Sequence, residues 1–217
     1  MKIKRILAIG AHLDDIEISA GGLLADAAAQ GARVKMLVLT NSAYVSFDGR
    51  VGRTVEEALE EGRQASDILG AELEVLDFPT KDVPFDSSSI EAIDQRLLEL
   101  KPDLVLTHWV HDTHPAHRNT GLASMAACRY HNNIMMYEPM MPSGRSYQGF
   151  RGQIYHRISK LALEKKMAAL KAHRSQYLKY GEEFWVDAVV SRGRHRGFEI
   201  GAEYAECFEV VRMELLL

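Results

Sequence analysis

The sequence predicts an α/β fold in one domain, 1–217, with a mostly parallel sheet covered by helices on both faces. Three observations predict it. Near-continuous apolar runs of strand length recur through the first half of the chain, helix-like segments separate them, and chemistry-bearing residues gather just beyond two of the runs. Strands buried on both faces lose the in/out alternation of a half-exposed sheet, and strand–helix alternation is the pattern of parallel pairing.

Ile3 to Gly10 reads as the first strand, and Ser19 to Gly31 as a helix with Gly31 as its C-cap. Val34 to Thr40 is a second strand, Val55 to Leu69 a helix stopped at Gly70, and Leu73 to Phe78 a third strand broken by Pro79. Ser89 to Leu100 is a helix ending near Pro102, and Asp103 to His108 a fourth strand. Two segments, Asn41 to Thr54 and Met135 to Gly152, read as loops able to wall a site or close over it. Lys160 to Tyr180 reads as helical, with strand-like runs at Val186 to Ser191 and Cys207 to Met213.

Composition excludes several classes of function. The formal net charge is −4, without the basic surplus of a nucleic-acid binder. The cluster Arg192-Gly193-Arg194-His195-Arg196 reads as a solvated loop, with a phosphate-binding patch as the alternative. Cys128 and Cys207 are far apart, form no CxxC and suit a reducing, cytoplasmic setting. No apolar run approaches the ~18 residues of a membrane span. The basic-then-apolar start reads as a buried strand, because its apolar run meets His12, Asp14 and Asp15 at once. Association into a homo-oligomer is left open.

The first strand runs into Gly10-Ala11-His12-Leu13-Asp14-Asp15-Ile16-Glu17. Burying several like charges is costly unless a positive group holds them. A divalent cation does so, and His12 and Asp15 on a tight turn can offer it nitrogen and oxygen. The competing reading makes Asp14 or Asp15 a helix cap, with Glu17 favouring the helix N-terminus. GxGxxG is absent, and Gly21-Gly22 reads as a place for close helix–sheet packing. The fourth strand runs into His108, His111, His114 and His117, four of the nine histidines within ten positions. Two such clusters beyond strand ends favour metal. Two histidines and one carboxylate leave a fourth position open, as in catalytic zinc sites.

At these segments the sequence resembles the PIG-L/LmbE family of zinc-dependent deacetylases, which have a Rossmann-like fold and remove N-acyl groups from amino sugars. Ala11-His12-Leu13-Asp14-Asp15-Ile16-Glu17 with Gly21-Gly22 is similar to the family's opening A-H-P-D-D signature. His114-Pro115-Ala116-His117-Arg118 resembles its H-P-D-H-R. Lys171-Ala172-His173-Arg174-Ser175-Gln176 looks like its A-H-x-S-Q, and Gly201 to Phe208 like its G-x-x-Y-A-E-x-F. The four motifs occur in order along nearly the whole chain.

The resemblance implies His12, Asp15 and His117 as ligands of one Zn²⁺ per chain, with other divalent transition metals as alternatives. It implies Asp14 as general base, His114 as the group that stabilises the oxyanion or protonates the amine, and His173 as a pocket residue. The implied substrate is a small N-acetylglucosamine conjugate. Another metal-dependent amidase or esterase, or a non-catalytic sugar-binding relative, are the other readings. Leu13 stands where the family has Pro, Ala116 where it has Asp, and Arg157 where an Asp commonly lies. Asp112 is the candidate to stand in for the carboxylate missing at Ala116. Arg53 is an approximate match to a substrate-binding Arg. Arg118 and Tyr44 lie on segments able to reach a sugar or phosphate. Tyr147 and Phe150 could stack on a pyranose, and Met135, Met136, Met140 and Met141 could line a hydrophobic pocket or pack in the core.

Overall fold

Alternate residues of the central strands face two different cores, which is why apolar runs in the sequence are unbroken. The computed structural model describes residues 3–46 and 48–214. Positions 1–2, 47 and 215–217, which the expected domain and the 41–54 loop include, lie outside them. The elements run β1 (Arg5–Gly10), α1 (Asp15–Ala29), β2 (Arg33–Thr40), β3 (Tyr44–Val45), β4 (Val51–Arg53), α2 (Val55–Leu69), β5 (Glu72–Phe78), α3 (Ser87–Leu100) and β6 (Leu104–Thr107). They continue as α4 (Pro115–Ala127), β7 (Ile134–Tyr137), β8 (Ile154–Arg157), α5 (Lys160–Ala172), α6 (Arg174–Lys179), α7 (Glu183–Glu199) and β9 (Ala205–Arg212).

The seven-stranded sheet has the order β5-β2-β1-β6-β7-β9-β8. Pairings among β5, β2, β1, β6 and β7 are parallel, and β9 runs antiparallel to both neighbours. In β1, Ile6 and Ala8 enter one core with Val34, Met36 and Leu106, beneath α1, α2 and α5. Leu7 and Ile9 enter the other with Leu37, Leu39 and Val105, beneath α3 and α4. β1 lies between β2 and β6, so the order of the chain reverses there. Ligands of open α/β sheets bind beyond the strand carboxyl ends at such a point. Both chemistry-bearing segments, after β1 and after β6, emerge at it.

Local signals fix the helix ends. Thr54 and Glu57 form a reciprocal cap at the start of α2, and Gly70 ends it at φ 77°. Asp86 caps α3 through the Ser88 N–H, and Pro115 occupies the first turn of α4. Gly21 packs against Lys166 of α5 and Gly22 against Ile158 in the link from β8 to α5, while the Gly22 N–H meets Glu206 of β9, so the close contact is with both helix and sheet.

The second half departs from the sequence expectation in several places. Val186 to Ser191 is not a strand but part of α7; Val186 and Val189 are buried with Trp185, a helical spacing that overrides the β preference of valine. The basic cluster lies on the same helix and is no solvated loop. Arg192 donates to the Ile18, Glu138 and Pro139 carbonyls, and Arg196 pairs with Glu138 and Glu199, so both fasten α7 to α1 and the segment after β7. Lys160 to Tyr180 is two helices broken at His173 (ψ 64°). The segment after Met135 is no loop at its start: Met135 and Met136 are buried in β7. α1 begins at Asp15, four residues before the expected Ser19.

Candidate metal centre and its cavity

The turn from β1 into α1 brings His12 and Asp15 together, and the start of α4 brings in His117. His12 Nδ1 lies 3.1 Å from His117 Nε2 and 3.3 Å from an Asp15 oxygen, and His117 Nε2 lies 3.3 Å from the other Asp15 oxygen. Hydrogen bonds on the far side of each ring fix which nitrogens face inward. His12 Nε2 is 2.7 Å from the Thr80 carbonyl, which only accepts, so Nε2 carries the proton and Nδ1 presents a lone pair. His117 Nδ1 is 3.0 Å from an Asp112 oxygen, so Nε2 presents its lone pair too.

Two imidazole nitrogens and a carboxylate thus converge on one point. Positive charge satisfies that arrangement, and N, N and O donors suit a divalent transition metal. The same demand for positive charge acts on His117. Burial opposes charging it, but the Asp15 and Asp112 carboxylates outweigh burial and push it up to about 8. Donor atoms also group as His12, His114 and His117, and as Asp15, His108 and His117, each within 4.8 Å. The His108 lone pair is already taken, because its Nε2 accepts the Ala11 N–H at 2.9 Å. His108 stacks on His117 at 4.4 Å between ring centroids and braces it.

Asp112 does not reach the ring of His114. One oxygen accepts the His114 backbone N–H at 2.7 Å and the other holds His117, so Asp112 orients the ring of a candidate metal ligand. Ala116 is fully buried in the core beneath α3 and α4. His114 Nδ1 is buried without a hydrogen-bond partner, and burial, then His117 and His12, push the ring down to about 4. His114 is therefore neutral at neutral pH. Asp112→Ala should weaken metal binding about 10–100-fold, read by competition with a chromophoric chelator; unchanged affinity would remove its orienting role.

Asp14 stands apart from the candidate ligands His12, Asp15 and His117. Its backbone has φ 140°, a conformation L residues rarely adopt, and its side chain does not cap α1. Of the two capping candidates, Asp15 also makes no cap: it accepts the His12 N–H at 2.7 Å. Asp14 is 8 % exposed and lines the cavity, and its carboxylate has no hydrogen-bond partner among the described residues. Burial and then Asp15 push its carboxyl up to about 6.

The cavity over this cluster has a volume of about 830 Å³. Arg53 lines it. This buried guanidinium donates to the Leu13 carbonyl and to Glu61, and lies 3.1 Å from His173 Nδ1. His173, fully buried, is outside the lining; its Nε2 lies 2.8 Å from a Glu17 oxygen, so Glu17 is hydrogen-bonded in the interior rather than a free charge at a helix start. Arg118 is exposed and lies outside the lining. Tyr147 is 92 % exposed, and Phe150 packs on Trp109, so neither lines the cavity, whereas Tyr44, Met140 and Met141 do. Sequence reading missed Thr80, which acts only through a backbone carbonyl. It also missed Lys179, Tyr180 and Trp185, which share the wall with Ile18 and Pro139.

Residues 7–128 match the family model described as PIG-L, GlcNAc-PI de-N-acetylase. The chain belongs to the PIG-L family. An uncharacterized deacetylase, YaiS, of Escherichia coli K12 is 33% identical over 181 residues, covering 80% of this chain and 92% of that protein. The diacetylchitobiose deacetylase of Thermococcus kodakarensis is 26% identical over 219 residues, covering 94% and 82%. These PIG-L relatives are deacetylases, hydrolases acting on amide bonds. The fold itself hosts other chemistry. The structure of GalB, a 4-carboxy-2-hydroxymuconate hydratase from Pseudomonas putida KT2440, superposes with a TM-score of 0.81 at 20% identity, covering 99% of this chain and 98% of that one. The residues of the site, not the fold, therefore decide the reaction. Among the described residues no helix is long and apolar enough to cross a membrane.

Proposed function

We propose that this protein is a zinc-dependent hydrolase that removes an N-acyl group, acetyl first among them, from a small N-acetylglucosamine-type conjugate. The observation that carries the reading is the convergence of His12, Asp15 and His117 lone pairs beside an unpartnered Asp14 on one cavity wall. A bound divalent metal supplies Lewis-acid polarisation of the amide carbonyl and of a water.

The residues divide the remaining work. Asp14 has the place and the lone pairs to take a proton from the attacking water. His114, kept neutral, donates a ring N–H to the carbonyl oxygen as negative charge builds there. A neutral His114 has no spare proton for the leaving amine, so Asp14 returns the one it took, and the products are a carboxylate and the free amino sugar. Arg53, already turned toward Leu13, Glu61 and His173, shapes the polar wall against the sugar. The test is release of free amine from a panel of N-acetylglucosamine conjugates differing in aglycone. Release from at least one is expected. No release from any member by metal-loaded protein, with turnover of a 2-hydroxymuconate-type acid instead, would replace this reading with a hydratase.

A further inference from the structure

The cavity is electrically two-ended. Its floor carries Asp14, Asp15, Asp112 and the histidines. Its more exposed lining, which includes Val45, Met141 and Tyr180 at 44–58 % exposure, carries Lys179 and Lys81. Lys179 Nζ stands 4.3 Å from the centroid of the Tyr44 ring and 4.8 Å from that of Tyr180. Burial opposes its charge, but the contacts with Tyr180 and Tyr44 outweigh burial and raise its pKa, so it stays an ammonium. Among the described residues no carboxylate pairs with it.

This cage is built by the fold. A Cβ at Gly52 would lie 2.2 Å from Tyr44 Cε2, so β4 meets the Tyr44 ring through a glycine, and the ring is pressed into place across the β3–β4 hairpin. On the other side, Tyr180 follows α6, and its phenol feels burial first and then Asp14, which puts the ring within reach of the proposed base's field. An ammonium fixed at the mouth of a binding cavity, with no carboxylate beside it among the described residues, is placed to meet an anion that enters.

We infer that Lys179, held between Tyr44 and Tyr180, is a specificity residue that binds an anionic group, phosphate or carboxylate, on the amino-sugar substrate. This rests on the deacetylase reading of the same cavity and narrows it to acidic conjugates. The sugar's amide sits over the His/Asp floor while its acidic substituent pairs with Lys179 and lies against the tyrosine rings.

The test uses deacetylated sugars, which the enzyme cannot hydrolyse. Binding of glucosamine 1-phosphate, glucosamine 6-phosphate and methyl glucosaminide to metal-loaded protein is measured by calorimetry. At least one phosphate sugar is expected to bind ten-fold or more tighter than the neutral glycoside. Lys179→Met should erase that margin and Lys179→Arg should keep most of it. Equal binding of charged and neutral sugars would overturn the inference. So would a margin that survives in Lys179→Met, since the anion would then sit on the metal or Arg53. Amine release from the acetylated counterparts is read separately. A Lys179-dependent margin without amine release keeps the anion site and rejects the deacetylase reading; amine release without the margin does the reverse.

Discussion

Asp14→Asn is expected to lower turnover by ~10²–10⁴-fold while the protein keeps its metal, the range a positioned general base contributes. Asparagine keeps the shape of the side chain and removes only its capacity to accept a proton. The ligand set is untouched, because His12, Asp15 and His117 meet one another without help from Asp14. The proposed mechanism asks Asp14 to act twice, on the water and on the departing amine, since His114 is held neutral at about 4. Loss of one residue should therefore remove both proton transfers. A His114→Ala variant should lose less, because it removes only a hydrogen bond to the developing oxyanion. Steady-state amine release with metal content measured on the same samples checks both. Near-normal turnover in Asp14→Asn would end its assignment as base.

The second large effect is on stability, far from the chemistry. Glu206 is buried beneath α1, where it accepts the Gly22 and Leu23 N–H groups at 2.8 and 2.7 Å and the Lys166 ammonium at 2.5 Å. Lys166 is itself buried, and burial depresses its pKa. Glu206→Ala strands that ammonium in the interior and strips two backbone donors, which should cost about 3–5 kcal/mol. Removing both charges together, as Lys166→Met with Glu206→Leu, should recover part of the loss, since no buried charge is then left unpaired. Urea unfolding of the three proteins measures this. A Glu206→Ala midpoint equal to wild type would show that the pair does not hold α1, α5 and β9 together.

The sheet was legible because its central strands are buried on both sides. Ile6 to Gly10 and Val34 to Thr40 can be read from apolar continuity alone, and Gly70 ends α2 where a left-handed residue is needed. Strand β7 was hidden because Ile134-Met-Met-Tyr137 is four residues long, and methionine signals core and pocket equally. Helix α7 was misread because Val186, Val189 and Val190 look like a strand one by one, although their spacing is helical.

The site was legible as two clusters but not in its wiring. That His12 faces inward by Nδ1 depends on the Thr80 carbonyl, a backbone group any residue could supply. That Asp112 serves His117 rather than His114 depends on how the turn before α4 folds, which five-residue spacing does not specify. Lys179 lies outside the motif regions, on the short helix that follows the break at His173, where it meets Tyr44.

The central claim is that amide hydrolysis runs on one metal held by His12, Asp15 and His117. The most direct measurement strips the protein with a chelator and follows free-amine release from an N-acetylglucosamine conjugate as zinc is titrated back. Activity should vanish on stripping, return in proportion up to one zinc per chain, and fail to return in His117→Ala. Amine release that persists in fully stripped protein, or that needs two zinc ions per chain, would contradict the account.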